Sequence, residues 1–206
     1  MTAYHEAGHA IVAHSLPKMD PVHRISIVSR GLTGGHTLIP PQVDRQTETK
    51  THLLEMITTL LGGRASEEMV FSEVTTGAGN DLEIATGIAR EMVTEFGMSN
   101  LGPINIGPKL QFGLWPADME GRGYSQELAA KIDNEIRKII DHCFASARRI
   151  LRENRQKLDL VAGQLLEKET LEGEEFEKLV GPKKDGREEK LAEEKKEQPI
   201  TPQPSS

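Results

Sequence analysis

The sequence predicts a mainly α-helical protein with a small β-sheet or hairpin. Apolar residues recur at helical spacing over most of the 206 residues. The segments with this pattern are 3–16, 47–71, 81–96, 125–154, 155–168 and 173–180. Alternating, β-branched patterns are confined to two short stretches, 22–29 and 34–39, which are separated by a turn at Gly31. Helix packing is therefore expected to supply most of the core.

Local signals set the expected ends of these elements. The first helix should end before Pro17, and the helical segment 47–71 should break or bend near Gly62 and Gly63. Asn80 is a plausible N-cap for a helix that begins at Asp81. The Gly- and Pro-rich region 98–123 is expected to be irregular, with a short extended piece near 110–113.

Composition divides the chain into two parts. Residues 1–181 are expected to form one domain, whereas residues 182–206 are dominated by Lys, Glu, Pro and Ser and are expected to be disordered. No apolar run reaches about 20 residues, so we expect this chain not to insert into a membrane and to be soluble. No signal peptide is visible. Because the helical pattern begins almost at the first residue, we expect the chain to be a fragment of a larger protein.

Charge and cysteine content exclude some classes of function. The formal net charge of −7 and the absence of a basic face mixed with aromatic residues argue against a nucleic-acid-binding protein. The chain has one cysteine, Cys143, which permits no intrachain disulfide and is consistent with a reducing compartment. Cys143 lies in an apolar-periodic helical segment, so we interpret it as a small buried hydrophobic residue.

The first helix contains one motif whose residue types can bind a metal ion and transfer protons. Residues 5–9 match H-E-x-x-H, and on a helix His5 and His9 lie on the same face, one turn apart. Two imidazoles at this spacing can bind one Zn²⁺. Glu6 lies beside the metal rather than on it, where a carboxylate can accept a proton from the attacking water and return it to the leaving amine.

A catalytic zinc site needs a third protein ligand. The metzincin pattern is excluded because Ser15 and Val12 occupy the positions of its third His and its Gly. His14 is poorly aimed, about 140° around the helix from His9, and is interpreted as a surface residue at the helix end. The remaining candidates are downstream acids, and spacing alone does not choose among them: Glu55, Glu67, Glu68, Glu73 and Asp81.

Three motifs in order, residues 3–10 (AYHEAGHA), 62–68 (GGRASEE) and 75–82 (TTGAGNDL), resemble the peptidase domain of the FtsH family. The similarity continues through residues 89–103, the long helix and 166–171, and it covers roughly residues 3–181. The members of this family are membrane-anchored, ATP-dependent AAA zinc metalloproteases of bacteria, mitochondria and chloroplasts.

The resemblance implies a site and a fold. The third zinc ligand would be Asp81, and the acids of the 62–68 motif would be structural or supporting groups. Glu68 could orient a ligand or be an ordinary surface charge. The fold would be mainly helical, with the small sheet next to the metal-binding helix. An edge strand would receive substrate as an added strand, and this strand corresponds to Gly34, Gly35, His36 and Thr37. His36 could equally be an ordinary surface residue of that strand.

The resemblance also implies partners and a location. Family members form homo-hexameric rings in which an upstream ATPase module unfolds polypeptides and threads them to the peptidase domains. The parent protein would be anchored in the bacterial plasma membrane with this domain in the cytoplasm, or in an organellar membrane. We expect the residues of this chain to include neither the ATPase module nor the anchor.

The expected activity is zinc-dependent hydrolysis of peptide bonds in unfolded or damaged proteins. Two alternatives are considered. One is a non-catalytic helical assembly module with a degenerate metal site, against which the presence of His5, Glu6, His9 and Asp81 argues. The other is a freestanding soluble metallopeptidase without an ATPase.

Overall fold

The structure, a computed structural model, describes residues 1–28, 35–42, 47–106 and 124–183. Over these residues it consists mainly of helices, with one small sheet, as the sequence predicts. The helices are α1 (Thr2–Ser15), α2 (Lys50–Leu60), α3 (Gly62–Phe71), α4 (Gly79–Thr94), α5 (Gln126–Glu153), α6 (Arg155–Lys168) and α7 (Gly173–Val180).

The sheet has three short antiparallel strands in the order β2-β1-β3. They are β1 (Arg24–Ser26), β2 (His36–Leu38) and β3 (Thr170–Glu172). Ile25 is the centre of the register, because it pairs with Thr37 of β2 on one side and with Leu171 of β3 on the other. The sheet packs on α1, so β2 forms an edge close to that helix.

Two apolar clusters make up the core, and the site lies where they meet. The first contains α1, β1, α6, β3, α7 and the C-terminal half of α5. The second contains α2, α4 and the residues of α5 up to Cys143, which is fully buried, as expected. The 28 residues of α5 are therefore long enough to join both clusters.

Several expected element ends are confirmed and one is wrong. The segment 47–71 breaks at Leu61 into α2 and α3, and Thr49 caps α2 by accepting a hydrogen bond from the backbone N–H of His52. The helix expected to begin at Asp81 with Asn80 as its cap instead begins at Gly79. A 3-10 turn, Thr76–Ala78, runs directly into it, and Thr75 caps that turn by accepting from Gly77 N–H.

Some expectations fall on residues that the structure does not describe. The extended piece near 110–113 and nearly all of the expected tail, residues 184–206, lie outside the described residues. Lys183, two residues beyond the expected domain boundary, donates hydrogen bonds to backbone carbonyls at the C-terminal end of α1. Among the helices within the described ranges, none combines the length and the apolarity required to cross a bilayer.

Candidate metal centre and active site

The helix that carries the motif, α1, is buried over almost its whole length, and glycines permit this. A Cβ on Gly8 would lie 2.5 Å from the backbone oxygen of Gly62 and 2.7 Å from the Cβ of Ser66, so α1 and α3 touch backbone to backbone. The Ser66 hydroxyl donates to the Tyr4 carbonyl, 2.6 Å away, across the same contact. The close crossing fixes which face of α1 is turned toward α2, α3 and α4.

Three predicted ligand residues converge at one point. His5 Nε2 lies 3.1 Å from His9 Nε2, and each of these nitrogens lies 3.2 Å from Oδ2 of Asp81 at the start of α4. Ligand atoms about 2.0–2.1 Å from a tetrahedral zinc ion lie roughly 3.3 Å apart. The three atoms therefore form a triangle of the size that one zinc ion needs, with a fourth position open.

His5 is oriented by Glu67, not by Glu68. The His5 Nδ1–H donates to Glu67 Oε1 at 2.9 Å, which directs Nε2 at the cluster. Glu67 is buried, and the backbone N–H of Thr75 holds its other oxygen, Oε2, at 2.9 Å. Of the two interpretations of Glu68, the surface charge agrees with the structure and the ligand-orienting role does not, because its carboxylate points outward and pairs with Arg148 at 3.5 Å.

His9 is oriented in the same sense by the backbone. Its Nδ1–H donates to the Thr59 carbonyl near the end of α2, at 2.8 Å. Both imidazoles thus direct Nε2 at the carboxylate of Asp81. Two imidazole nitrogens and a carboxylate oxygen this close need a positive charge among them, either a shared proton or a metal ion, so the donor set itself fits a metal ion.

A glycine of α3 leaves room for the two imidazoles. A Cβ built on Gly63 would lie 2.6 Å from both His5 Nε2 and His9 Nε2. Such a contact is far shorter than van der Waals distance, so any side chain at this position would displace the ligand nitrogens. Gly63 is therefore part of the geometry of the site, in addition to its place at the helix break and in the 62–68 motif.

The charges around the cluster favour a cation. Burial alone would raise the pKa of Asp81, but hydrogen bonds from His5 and His9 and their charges hold it well below its ordinary value. Burial would likewise lower the pKa of His5, but the hydrogen bond with Asp81 and the charges of Glu6, Asp81 and Glu67 raise it. The negative groups that attract a proton to His5 would also attract a metal ion.

The cluster lies in a cleft of about 950 Å³ that also contains Glu6 and strand β2. Glu6 is buried, with 6% of its surface exposed. Gly35, His36 and Thr37, which are expected to bind substrate, line the cleft, while Gly34 lies outside the described residues. The lining also includes apolar side chains, from Met19, Ile39, Met56, Leu60 and Ile84.

The other candidates have different surroundings. Glu55 is buried and accepts a hydrogen bond from Lys18 N–H at 2.7 Å, and Glu73 is exposed. Within the described residues, His5, His9 and Asp81 are the group whose ligand atoms lie close enough together to share a metal ion. His14 is not a surface residue as expected, because it packs edge-to-face on Phe176 with ring centroids 5.3 Å apart.

Comparisons with known proteins agree with this geometry. A family model described as Peptidase family M41 matches residues 1–179. The chain is 48% identical over 181 residues to "ATP-dependent zinc metalloprotease FtsH 1" of Thermoanaerobacter sp. (strain X514), and 49% identical over 181 residues to the protein of that name from Thermomicrobium roseum. It is 46% identical over 183 residues to "ATP-dependent zinc metalloprotease FtsH" of Bacillus subtilis (strain 168).

Each of these alignments covers 87% of this chain but only 28% to 30% of the relative. The chain thus spans somewhat less than a third of the length of the relatives it matches. The part that it spans contains the H-E-x-x-H helix and the first turn of α4 with Asp81. Because the family match extends over most of the described residues, the chain belongs to peptidase family M41.

Proposed function

We propose that this chain is a zinc endopeptidase module in which His5, His9 and Asp81 hold the metal and Glu6 is the general base. The observation that carries the proposal is the convergence of two imidazole nitrogens and one carboxylate oxygen within 3.2 Å of one another, in a cleft that also contains Glu6. The names of the relatives and the M41 family match support the same activity.

A bound zinc ion would polarise the scissile carbonyl and lower the pKa of a water molecule at the open position. Glu6 then accepts a proton from the attacking water and later passes it to the leaving amine nitrogen. Glu67 and the Thr59 carbonyl keep His5 and His9 in the tautomer that presents Nε2. Apolar side chains on the cleft wall exclude bulk water around the reacting groups.

The substrate is proposed to be an extended polypeptide that adds to the edge of β2. In the order β2-β1-β3, β2 pairs with β1 on one side only among the described strands. Main-chain hydrogen bonds to such an edge bind many sequences, which suits unfolded or damaged proteins as substrates. Gly35, His36 and Thr37 would form this binding strand, with Gly34 as its expected continuation.

We also propose what the full-length protein contains besides the peptidase domain. Relatives about three times as long carry "ATP-dependent" in their names, which supports an ATPase module in the full-length protein. We propose that the complete protein is a membrane-anchored homo-hexamer with the peptidase domain in the bacterial cytoplasm or the corresponding organellar compartment. The alternative of a non-catalytic assembly module is less favoured because all four site residues occupy one cleft.

The test compares the zinc content and the peptidase activity of four forms of the full chain. Asp81→Ala should lose most of its zinc, whereas Glu6→Gln should keep about one zinc per chain and lose about 10²-fold or more of its activity on a fluorogenic peptide. Glu83→Gln is a matched control, because Glu83 is an exposed carboxylate two residues after Asp81 on the same helix. A wild-type chain that takes up no zinc at neutral pH, or a Glu6→Gln variant as active as wild type, would refute the proposal.

A further inference from the structure

The carboxylate of Glu6 is held by a side chain from the sheet. The Thr37 hydroxyl lies 2.7 Å from Glu6 Oε2 and donates to it, and the same hydroxyl lies 3.1 Å from the Glu6 backbone oxygen. Among the described residues, this is the side-chain hydrogen bond that the Glu6 carboxylate accepts. It connects the first helix to the middle of β2, 31 residues away in the chain.

The other oxygen of Glu6 faces a position without a side chain. A Cβ on Gly35 would lie 2.9 Å from Glu6 Oε1, 3.0 Å from Glu6 Cγ and 2.8 Å from the Ser26 backbone oxygen. Strand β2 therefore does two things to Glu6: Thr37 binds one oxygen, and Gly35 leaves space beside the other. A long carboxylate side chain with one oxygen fixed loses most of its rotational freedom.

We propose that Thr37 is a positioning residue for Glu6, which fixes Oε2 so that Oε1 is the oxygen that exchanges protons with water and the leaving amine. This inference rests on the proposed function, in which Glu6 is the general base. Strand β2 would then have two functions. The main chain of the strand would bind the extended substrate, while one of its side chains orients the base beside the bond to be cut.

A residue that positions the general base and a residue that only binds substrate affect different kinetic constants. Misorienting a general base slows the chemical step and leaves ground-state binding almost unchanged. Losing a substrate contact on the strand would instead raise KM. The hydroxyl, not the methyl group or the β-branch, is the group that matters, so a serine should substitute for Thr37 and a valine should not.

The experiment measures kcat, KM and zinc content of the full chain with a fluorogenic peptide. Thr37→Val should reduce kcat about 10-fold or more, change KM less than about 3-fold and retain zinc, while Thr37→Ser should return kcat to within about 3-fold of wild type. Thr170→Val is the matched control, because Thr170 lies in β3 of the same sheet and its hydroxyl contacts Ser26 rather than Glu6. This control should keep the wild-type kcat.

Three outcomes would overturn the inference: a Thr37→Val enzyme with wild-type kcat, a Thr37→Ser enzyme as slow as Thr37→Val, or a loss that appears only in KM. If Thr37→Val fails to fold or to hold zinc, the ratio of kcat between Thr37→Ser and Thr37→Ala decides in its place, and a ratio near one is contrary to the inference. Glu6→Gln in the same assay distinguishes a failure of the proposed function from a failure of this inference alone. Should Glu6→Gln remain active, the proposed function and this inference fail together, whereas an inactive Glu6→Gln beside an unaffected Thr37→Val removes the inference alone.

Discussion

At the scale of single residues, the proposed metal centre depends on groups that never touch the metal. Glu67 accepts from His5 Nδ1 and is itself held by Thr75, so one buried carboxylate determines which nitrogen of His5 faces the cluster. Partners of this kind typically account for a 10–100-fold change in metal affinity. Hydrogen bonds from surrounding groups thus fix the orientation of the proposed ligands.

Replacing Glu67 by alanine should weaken zinc binding about 10–100-fold, because His5 Nδ1–H would lose its acceptor and the ring would be free to turn. Competition with a chromophoric chelator measures the affinity. Glu68→Ala is the control, since Glu68 is the adjacent acid and makes only a long, exposed pair with Arg148. Its zinc affinity should stay within about 2-fold of wild type, and equal losses in both variants would show that Glu67 has no particular role.

The same pair of acids shows what the sequence could predict about the site. The H-E-x-x-H spacing predicted His5 and His9, whereas Asp81 was selected from five acids only by the resemblance of its motif to the FtsH family. To choose between Glu67 and Glu68, one must know which face of α3 is turned toward the two imidazoles. Gly63 faces the two imidazoles, and Glu67 follows it by four residues, so both lie on one face of the helix, whereas Glu68 is about 100° further round. That spacing was the available signal.

At the scale of elements, the contact between α1 and α3 brings the motif to its partners. Gly8 and Gly62 let the two backbones meet, since a Cβ on Gly62 would lie 2.9 Å from the Gly8 oxygen. Helices separated by side chains lie about 8–10 Å apart, so two facing glycines permit a closer approach. The glycine inside the H-E-x-x-H motif is therefore explained by packing rather than by chemistry.

Gly8→Ala should lower the free energy of unfolding by roughly 1–3 kcal/mol or more, because its methyl group would collide with the Gly62 oxygen and the Ser66 side chain. Urea denaturation of the metal-free chain measures the change without a contribution from zinc. Gly163→Ala in α6 is the control, because nothing lies within 4 Å of a Cβ there. It should raise stability by about 0.5–1 kcal/mol, and a Gly8→Ala variant that also gained stability would contradict the close-crossing argument.

Elements that form through tertiary contacts were the ones the sequence did not predict. Strand β3 has three residues between two helices, too few for an alternating pattern, and it exists because Leu171 pairs with Ile25 of β1. The start of α4 was placed two residues late because Asn80 is a good cap by type. The 3-10 turn capped by Thr75 continues into the helix without needing it.

At the scale of the whole molecule, the last described residues pack against the C-terminal end of the proposed metal-binding helix. Lys183 donates to the backbone carbonyls of His14 and Leu16, and His14 packs on Phe176 of α7. A lysine at this place satisfies carbonyls that a helix leaves free and stabilises the negative end of its dipole. The first and last parts of the domain are therefore joined by one local cluster.

This cluster makes stability depend on pH. Burial and the positive charges of Lys183 and Lys157 lower the pKa of His14 from its ordinary value of 6.5 to about 4. Between these two values the unfolded chain binds more protons than the folded one, so the stability contributed by neutral His14 is complete above pH 6.5 and is lost as pH falls toward 4. The loss should be about 1–3 kcal/mol, given that the side chain is half-buried.

His14→Gln removes the titrating group and keeps a neutral polar side chain at the end of α1. Urea denaturation at a series of pH values between 7 and 4 should show the wild-type chain losing stability more steeply than the variant, and the difference curve isolates His14 from all other titrating groups. The gap should open below pH 6.5 and stop growing near pH 4. Parallel curves would mean that His14 has the same pKa in the folded and unfolded chains, and that the cluster of His14, Phe176 and Lys183 opens before the domain unfolds.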